Sequence, residues 1–540
     1  MDFSVVAPSR GTPNSTTTVV LQQDRWDDFG FKTQYHIFYY GSGEEVFIGN
    51  VKILRRGQTT SIASILPVGP LAPLSEEFCS LGQSLDYYER LASIPKDHRD
   101  EITSFLRDSV ATPDHAKLFE NEEGWRTSIT RDLDTASYVP LAQMLLERDY
   151  SALPSVGLAL TFSLAGWSAP LELHFEAPTD DSTYFAKTGK LPERVAVVTG
   201  RNGSGKSTLL ARLARVIHAS QAERAGDLIS RLGTIEPVGI GFSRIIAVAY
   251  SAFDTFQVPG VSPQDKRQIV SDLRSGTGRY VFSGLRDIAR ELEERLDEEA
   301  ARQGPGPDDP FALDRQDRTY LKSADQLADE YANIINLIMN SDRWRLLDRV
   351  LKLLLTDPSF SDVPNQSPDA LLGDDRRATF MTWSTGHKIV LHTIATLVAY
   401  TQPKAIVLID EPESHLHPPL LATLMHAVRI ILDRNDSFAV VATHSPVVAQ
   451  ETLGRHVSVI NRSGDVVTIM PSRIETYGES IGEITDEVFG LNAGSADFHQ
   501  TLRTLVERKL TLADIEKLFD RGMSLQARAY VMSLIASREG

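Results

Sequence analysis

Between Arg194 and Leu210 the chain reads RVAVVTGRNGSGKSTLL, and few stretches this short leave a fold so little choice. Val195–Val198 is an apolar, mostly β-branched run that favours a buried strand, and Leu209–Val216 carries a helical pattern. Between them, Gly200, Gly205, Lys206 and Ser207 fit the G-x-x-x-x-G-K-[ST] pattern without a mismatch. The glycines let the backbone curl until the N–H groups of Gly200, Arg201, Asn202, Gly203, Ser204, Gly205, Lys206, Ser207 and Thr208 converge on one anion. A helix starting near Lys206 points its positive end at the same place. Lys206 then reaches the outer phosphates of a nucleoside triphosphate such as ATP, and the Ser207 hydroxyl is a ligand for the Mg2+ that travels with it. Strand, glycine turn and helix in this order predict an α/β fold with a phosphate site at a strand end.

A second apolar run, Ala405–Ile409, closes on Asp410-Glu411-Pro412-Glu413. A carboxylate at such a strand end can hold magnesium, the role expected of Asp410, and Glu411 can polarise the water that attacks the outer phosphate. Phe438–Ala442 is a further buried strand and ends in Thr443-His444-Ser445-Pro446. That puts His444 on the same rim, within reach of the terminal phosphate. Ile245–Tyr250 is a strand of the same kind, and one of Ser251, Asp254 or Gln257 just beyond it would touch the metal or the attacking water. The pattern does not choose among the three.

The 540 residues suffice for more than one lobe. A net charge of -17 argues against a chain that coats nucleic acid over its whole surface, while leaving room for a local basic groove. The single cysteine, Cys79, excludes an internal disulfide and a cysteine-rich zinc site. No apolar run nears membrane-spanning length, and the N-terminus has no signal-peptide pattern, so the expected location is the cytoplasm without a membrane partner.

Along the chain, residues 1–18 are expected to form a flexible tail. Residues 19–260 form the first part of a head: a hairpin from Phe31–Tyr40 and Val46–Leu54 about Gly41-Ser42-Gly43-Glu44, a helical segment at 75–150, and the phosphate-site core at 190–260. Trp26-Asp27-Asp28-Phe29 reads as a packed corner. Residues 261–377 read as a helical insertion, broken at Gly304–Pro310, whose first helix of about 20 residues, roughly 30 Å, is too short for a long coiled-coil arm. Residues 378–465 complete the head, and 466–540 form a C-terminal helical region.

Taken together, these motifs resemble the ABC-type ATPases, within them the soluble SMC-like and OLD-like branch, and most of all the Septu/retron-associated PtuA-type anti-phage defence ATPases. GRNGSGKS at Gly200–Ser207 looks like the branch's P-loop. Trp383-Ser384-Thr385-Gly386-His387 resembles the LSGGQ signature, with Thr385 in place of the first glycine and His387 in place of the glutamine. Asp410–Pro412 looks like Walker B, His444 like the switch histidine, and Glu413–Pro418 like the LHP form of the defence and OLD-like members. The stretch IETYGESIGEITDEVFGL from Ile474 extends the likeness. The resemblance implies a head with a mixed sheet and flanking helices, an insertion carrying the signature, and a C-terminal helical tail. It also implies Mg-dependent ATP hydrolysis by two heads closing face to face. Ser384 and Gly386 of one head would then contact phosphates bound at Gly200–Thr208 of the other, making the working form at least a homodimer. Adenine is expected on an aromatic upstream of the P-loop, with Phe175 and Tyr184 as candidates.

Two classes of function follow from the resemblance. In one, the chain is the switch subunit of a prokaryotic anti-phage defence system and regulates a separate effector nuclease, because Ser445–Gly540 leaves no room for the nuclease fold that follows the ATPase in OLD-like proteins. In the other, it is an SMC/RecF-like repair or recombination ATPase that clamps DNA, with a lysine- and arginine-lined dimer face and salt-sensitive binding. A transporter subunit fits the sequence after Glu411 poorly.

Overall fold

The computed structural model describes residues 1–8, 18–25, 28–41, 45–60, 65–149, 158–175, 191–301, 318–361, 372–373, 375–464, 466–489 and 497–539. Tyr184, Trp26-Asp27, Gly304–Pro310 and most of the Gly41–Glu44 turn lie outside them. Two compact units result, Met1–Tyr477 and Gly478–Gly540.

The first unit opens with a six-stranded sheet, β1 (Phe3–Val6), β2 (Val19–Gln23), β3 (Gln34–Tyr39), β4 (Val46–Arg55), β5 (Gly69–Pro70) and β6 (Phe78–Gly82), in the order β5-β1-β2-β3-β4-β6. β3 and β4 pair antiparallel as the sequence suggests. β1 falls where a tail was expected, because Phe3 and Val5 alternate inward onto the core and the strand lies parallel to β2. Phe78–Gly82 likewise falls within a segment expected to be helical. Its partner is β4, so the pairing that fixes it lies outside the local pattern.

Strands β7 (Leu158–Ser163) and β8 (Leu171–Phe175) form a hairpin next to the P-loop strand β9 (Val195–Gly200), and the short β10 (Thr234–Glu236) pairs with β7. The central sheet adds β11 (Ile245–Ala249), β12 (Tyr280–Gly284), β13 (Ile406–Asp410), β14 (Phe438–Thr443), β15 (Val457–Ser463) and β16 (Val466–Pro471), in the order β12-β11-β13-β14-β9-β15-β16. Every pair except β15–β16 is parallel. Every residue of β9, β11, β13 and β14 is buried, which is why these strands read as unbroken apolar runs. The fold is therefore α/β, a mixed sheet with flanking helices.

Two further strands lie where helices were expected. Tyr280–Gly284, inside the presumed helical insertion, is the edge strand of the central sheet beside β11, reached by the crossover helix Pro263–Ser275. Val466–Pro471, presumed part of the C-terminal helices, returns antiparallel on β15. The insertion's first helix, Ile288–Ala301, has 14 residues and buries Ile288, Leu292 and Leu296 as its spacing requires. The helices Ala324–Met339 and Trp344–Leu354 follow, then Arg376–Thr382 and the helix Thr385–Tyr400 that begins at the signature.

One charged helix face joins the N-terminal sheet lobe to the central core. Helix Leu85–Ser93 buries Asp86 against Arg279 at 3.2 Å, Glu89 against Arg244 at 2.7 Å, and Arg90 against Asp272 at 3.1 Å. The second unit is helical, Ile481–Phe489, Asp497–Glu507, Leu512–Glu516 and Leu525–Glu539, around Leu502, Val506, Ile515 and Val531.

Candidate nucleotide site

The register of the central sheet brings the strand ends together. Asp410 pairs with Ala442, and Thr443 with Thr199, so the ends of β13, β14 and β9 form one rim with β14 in the middle. The helix Lys206–His218 starts at this rim, with Gly205 as its N-cap at φ +101°, a left-handed conformation that side chains rarely adopt. Arg201, Asn202, Gly203 and Thr208 are exposed, whereas Ser204 is buried. The Lys206 ammonium folds back and donates to the carbonyls of Gly200 (2.9 Å) and Arg201 (3.4 Å). Burial holds its pKa below the ordinary lysine value, against the opposing pull of Glu411, Asp410 and Glu413.

Ser207 Oγ donates to Asp410 Oδ1 at 3.0 Å, closing the distance between two motifs far apart in sequence. Burial pushes the Asp410 carboxyl up to about 7, and Glu411 and Asp254 add to the rise while the Ser207 hydrogen bond and Lys206 oppose it. A buried, poorly solvated carboxylate facing a hydroxyl is a pair of hard oxygen donors. That pair suits Mg2+, which takes one or two protein oxygens and completes its shell with phosphate and water. Among the described residues no group of three or more His, Cys, Asp or Glu forms a self-sufficient metal site.

Glu411 adopts φ +48°, uncommon for a residue with a side chain, and its N–H is anchored on the Ala442 carbonyl at 2.8 Å. His444 lies beside it, Nδ1 being 3.7 Å from Glu411 Oε1 and 3.1 Å from Glu413 Oε1. Glu413 also accepts from the His444 backbone N–H (2.8 Å) and the Thr443 hydroxyl (2.8 Å). The third carboxylate of DEPE thus fixes the histidine loop. In the sequence Glu413 stands out only as part of the DEPE run.

Of the three polar residues after β11, two are engaged elsewhere. Asp254 is buried in an ion pair with Arg286 at 2.7 Å, and Gln257 accepts from Arg215 at 3.1 Å. Ser251 accepts from the Phe253 N–H at 3.1 Å, and the Phe253 ring beyond it is 91% exposed. Phe175 does not reach the nucleotide side: it is buried, 5.0 Å from Phe438 and stacked on His456. The aromatic at the P-loop is instead Trp167, between β7 and β8, whose ring lies 3.4 Å from where a Gly205 side chain would begin. The signal for it was a tryptophan between two strand patterns just upstream of the cradle.

The signature forms a separate cluster. Ser384 is the exposed N-cap of Thr385–Tyr400, accepting from the His387 N–H, and Trp383 is buried beneath it. Gly386 faces the loop after Walker B: a Cβ there would lie 2.7 Å from the His415 carbonyl oxygen. The hydrogen bonds of Ser384 stay within its own helix start, on His387, and do not reach the P-loop. A cavity of about 920 Å³ opens at the β12 edge, lined by Arg274, Tyr280, Phe282, Asn336, Arg343 and Tyr400 among others, and no P-loop residue lines it. The phosphate site is an open rim, separate from that cavity.

Residues 195–449 match the family described as "AAA domain, putative AbiEii toxin, Type IV TA system". Over its full length the chain is 28% identical to Protein ea59 of Escherichia phage lambda, with 100% of this chain and 99% of that protein aligned. Its likeness therefore extends to both units and is not confined to the motifs. Among solved structures, an SMC head bound to the C-terminal winged-helix domain of ScpA aligns at 12% identity and TM-score 0.26, covering 58% of this chain and 97% of that one. UvrA2 from Deinococcus radiodurans aligns at 16% and 0.24, covering 60% and 39%. Superpositions that weak carry no weight for the fold, which rests on strand order and motif placement. No helix among the described residues is long and apolar enough to cross a membrane. The P-loop and the DEPE carboxylates meet on one sheet rim within residues 195–449, the segment that matches the AAA-domain family, and this segment has the make-up of a P-loop ATPase domain.

Proposed function

We propose that the chain is an ATP-binding and ATP-hydrolysing switch whose two heads close face to face, and that its nucleotide state regulates a separate effector nuclease in anti-phage defence. The observation that carries the ATPase half is the Ser207–Asp410 contact at 3.0 Å, with Glu411 and His444 on the same rim. Lys206 exchanges its two backbone carbonyls for the outer phosphates. Trp167 offers a face for the adenine. Ser207 and Asp410 are the residues that would hold Mg2+, which would supply charge neutralisation at the phosphates. Glu411, 3.7 Å from His444 at the end of β13, orients and deprotonates the attacking water. His444 hydrogen-bonds the terminal phosphate, held to that task by Glu413.

Face-to-face closure is supported by the position of Ser384, exposed at a helix start whose positive end is open to solvent. An ATPase rim with no phosphate ligand from its own signature becomes complete when a second copy supplies one. The defence setting rests on the Glu413–Pro418 form of the sequence after Walker B. The test is to purify Glu411→Gln protein from its host with ATP, alongside Lys206→Ala. Enrichment of a nuclease in the ATP-trapped sample alone supports the switch. A closed dimer that instead retains duplex DNA, and releases it steeply as salt rises, replaces that reading with the DNA clamp.

A further inference from the structure

The signature departs from its resemblance at His387, and the side chains around that residue form a continuous proton path. Asp357 Oδ1 accepts from both the Ser359 N–H (2.9 Å) and the Ser359 hydroxyl (2.6 Å). Ser359 Oγ lies 3.0 Å from His387 Nε2, and His387 Nδ1 lies 2.8 Å from Ser384 Oγ. The ring is clamped between Phe360, centroid to centroid 4.4 Å, and Trp383, 5.0 Å.

Proton counting then fixes every role. A carboxylate only accepts, so the one hydroxyl proton of Ser359 belongs to Asp357. Ser359 Oγ is left as an acceptor, which requires the proton of a neutral His387 to sit on Nε2. Nδ1 then carries a lone pair, and the hydrogen bond at 2.8 Å exists only if Ser384 donates its proton to Nδ1. In this state the hydroxyl shows the solvent nothing but lone pairs. A phosphate oxygen, itself only an acceptor, finds no donor there. Protonating His387 reverses the last bond: Nδ1–H donates to Ser384 Oγ, the Ser384 proton turns outward, and a positive charge stands behind it.

We propose that His387, oriented by Asp357 and Ser359, is a positioning residue that withholds the Ser384 proton while neutral and releases it to a partner head's phosphate when protonated. This rests on the face-to-face reading and deepens it. The phosphate that docks on Ser384 favours the imidazolium, so closure takes up a proton at each composite site. Burial holds the His387 pKa below the usual histidine value, Asp357 opposes that effect and His417 reinforces it. Open heads at neutral pH therefore carry the withheld arrangement. His417 caps the helix Pro418–Asn435 through Nδ1 and is the neighbouring histidine whose contribution the test must separate.

Two measurements on the full chain test this. In the first, 15N-histidine NMR at pH 8 without nucleotide is expected to show His387 as the Nε2–H tautomer, with Ser359→Ala turning it into a mixture. An Nδ1–H ring in the parent protein overturns the relay. In the second, the dimer Kd of Glu411→Gln with ATP is measured by sedimentation from pH 6.5 to 8.5. Uptake of one proton per composite site weakens association by roughly tenfold per site for each pH unit above the His387 pKa. Adding His387→Gln should flatten that slope, and His417→Asn, which keeps a capping side chain, should leave it unchanged. An unchanged slope in His387→Gln, or a slope lost only in His417→Asn, overturns the gating. If Glu411→Gln fails to dimerise at every pH, the face-to-face reading and the gating fall together, and the tautomer is still decided by NMR.

Discussion

The P-loop rim and the signature corner hold their polar groups in opposite ways. At the rim, functional side chains are bonded to one another: Lys206 to its own loop, Ser207 to Asp410, and Glu413 to Thr443 and His444. At the corner, Ser384 is exposed, and what fixes it comes from outside the motif, from Ser359 and Asp357 by way of His387. The rim is set by register within one sheet, so its geometry exists before ligand arrives. The corner is set by one hydrogen-bond chain and gains a purpose only when something approaches it. Rim variants should therefore fail within each chain, whereas corner variants should fail in a way a second chain can rescue.

The contrast is broken most severely at Lys206. Replacing it with Ala removes the charge that reaches the outer phosphates, and ATP turnover should fall by about 10⁴-fold or more, as for other charged groups that stabilise phosphoryl transfer. A turnover assay showing near-normal rates would remove the rim from the chemistry altogether. Glu411→Gln comes next, with an expected loss of about 10³-fold in kcat and nucleotide binding retained, the behaviour of a missing general base. Equilibrium binding of ATP separates the two, since only Lys206→Ala should weaken it. Ser384→Arg tests the other side: alone it should lose about 10²-fold in turnover, the effect of one lost donor to developing charge. Mixed with Lys206→Ala it should regain activity, because a hybrid dimer pairs one intact rim with one intact corner. Full activity of Ser384→Arg alone would sink the idea that a second chain completes the site.

Glu413→Ala probes a finer point. Its carboxylate touches no expected position of substrate, yet it holds the His444 backbone and ring and the Thr443 hydroxyl. Freeing that loop by an ångström or so should cost up to about 10²-fold in kcat. Glu413→Gln, which keeps one acceptor oxygen, should recover part of it. Equal losses in both variants would mean that the charge matters and the positioning does not.

How far the sequence foretold these regions follows from where each interaction lies. The strand-turn-helix at Val195–His218 and the strand ends at Asp410 and Thr443 were legible because a buried parallel strand writes itself as an unbroken apolar run with its functional residue at the end. β1, β6, β12 and β16 were not, since each is short or lies at or near a sheet edge; β1, β6 and β12 exist through pairing with segments well separated in sequence, and β16 through its return on β15. Asp254 and Gln257 looked as promising as any residue after β11. Arg286 and Arg215, which occupy them, come from other elements and leave no trace in the local pattern. The Ser359–His387 bond spans a stretch that includes undescribed residues, and no spacing rule joins its ends.

Trp167 marks the smallest expected effect and the sharpest test of the rim as a nucleotide site. The ring is partly buried against the central core, and its Cζ2 atom stands 3.4 Å from where a Gly205 side chain would begin, which places an aromatic ring beside the turn that cradles phosphate. Stacking of a base on such a face contributes about 1 to 2 kcal/mol, so Trp167→Ala should weaken ATP binding roughly 5- to 30-fold. Because the ring is remote from the attacking water, kcat should stay near the parent value while KM rises, and Trp167→Phe should recover most of the loss. Phe175→Leu, by contrast, changes a buried contact with Phe438 and should alter thermal stability with little effect on KM. The outcome that defeats this assignment is a KM rise in Phe175→Leu and none in Trp167→Ala, which would put the base on the opposite side of β8.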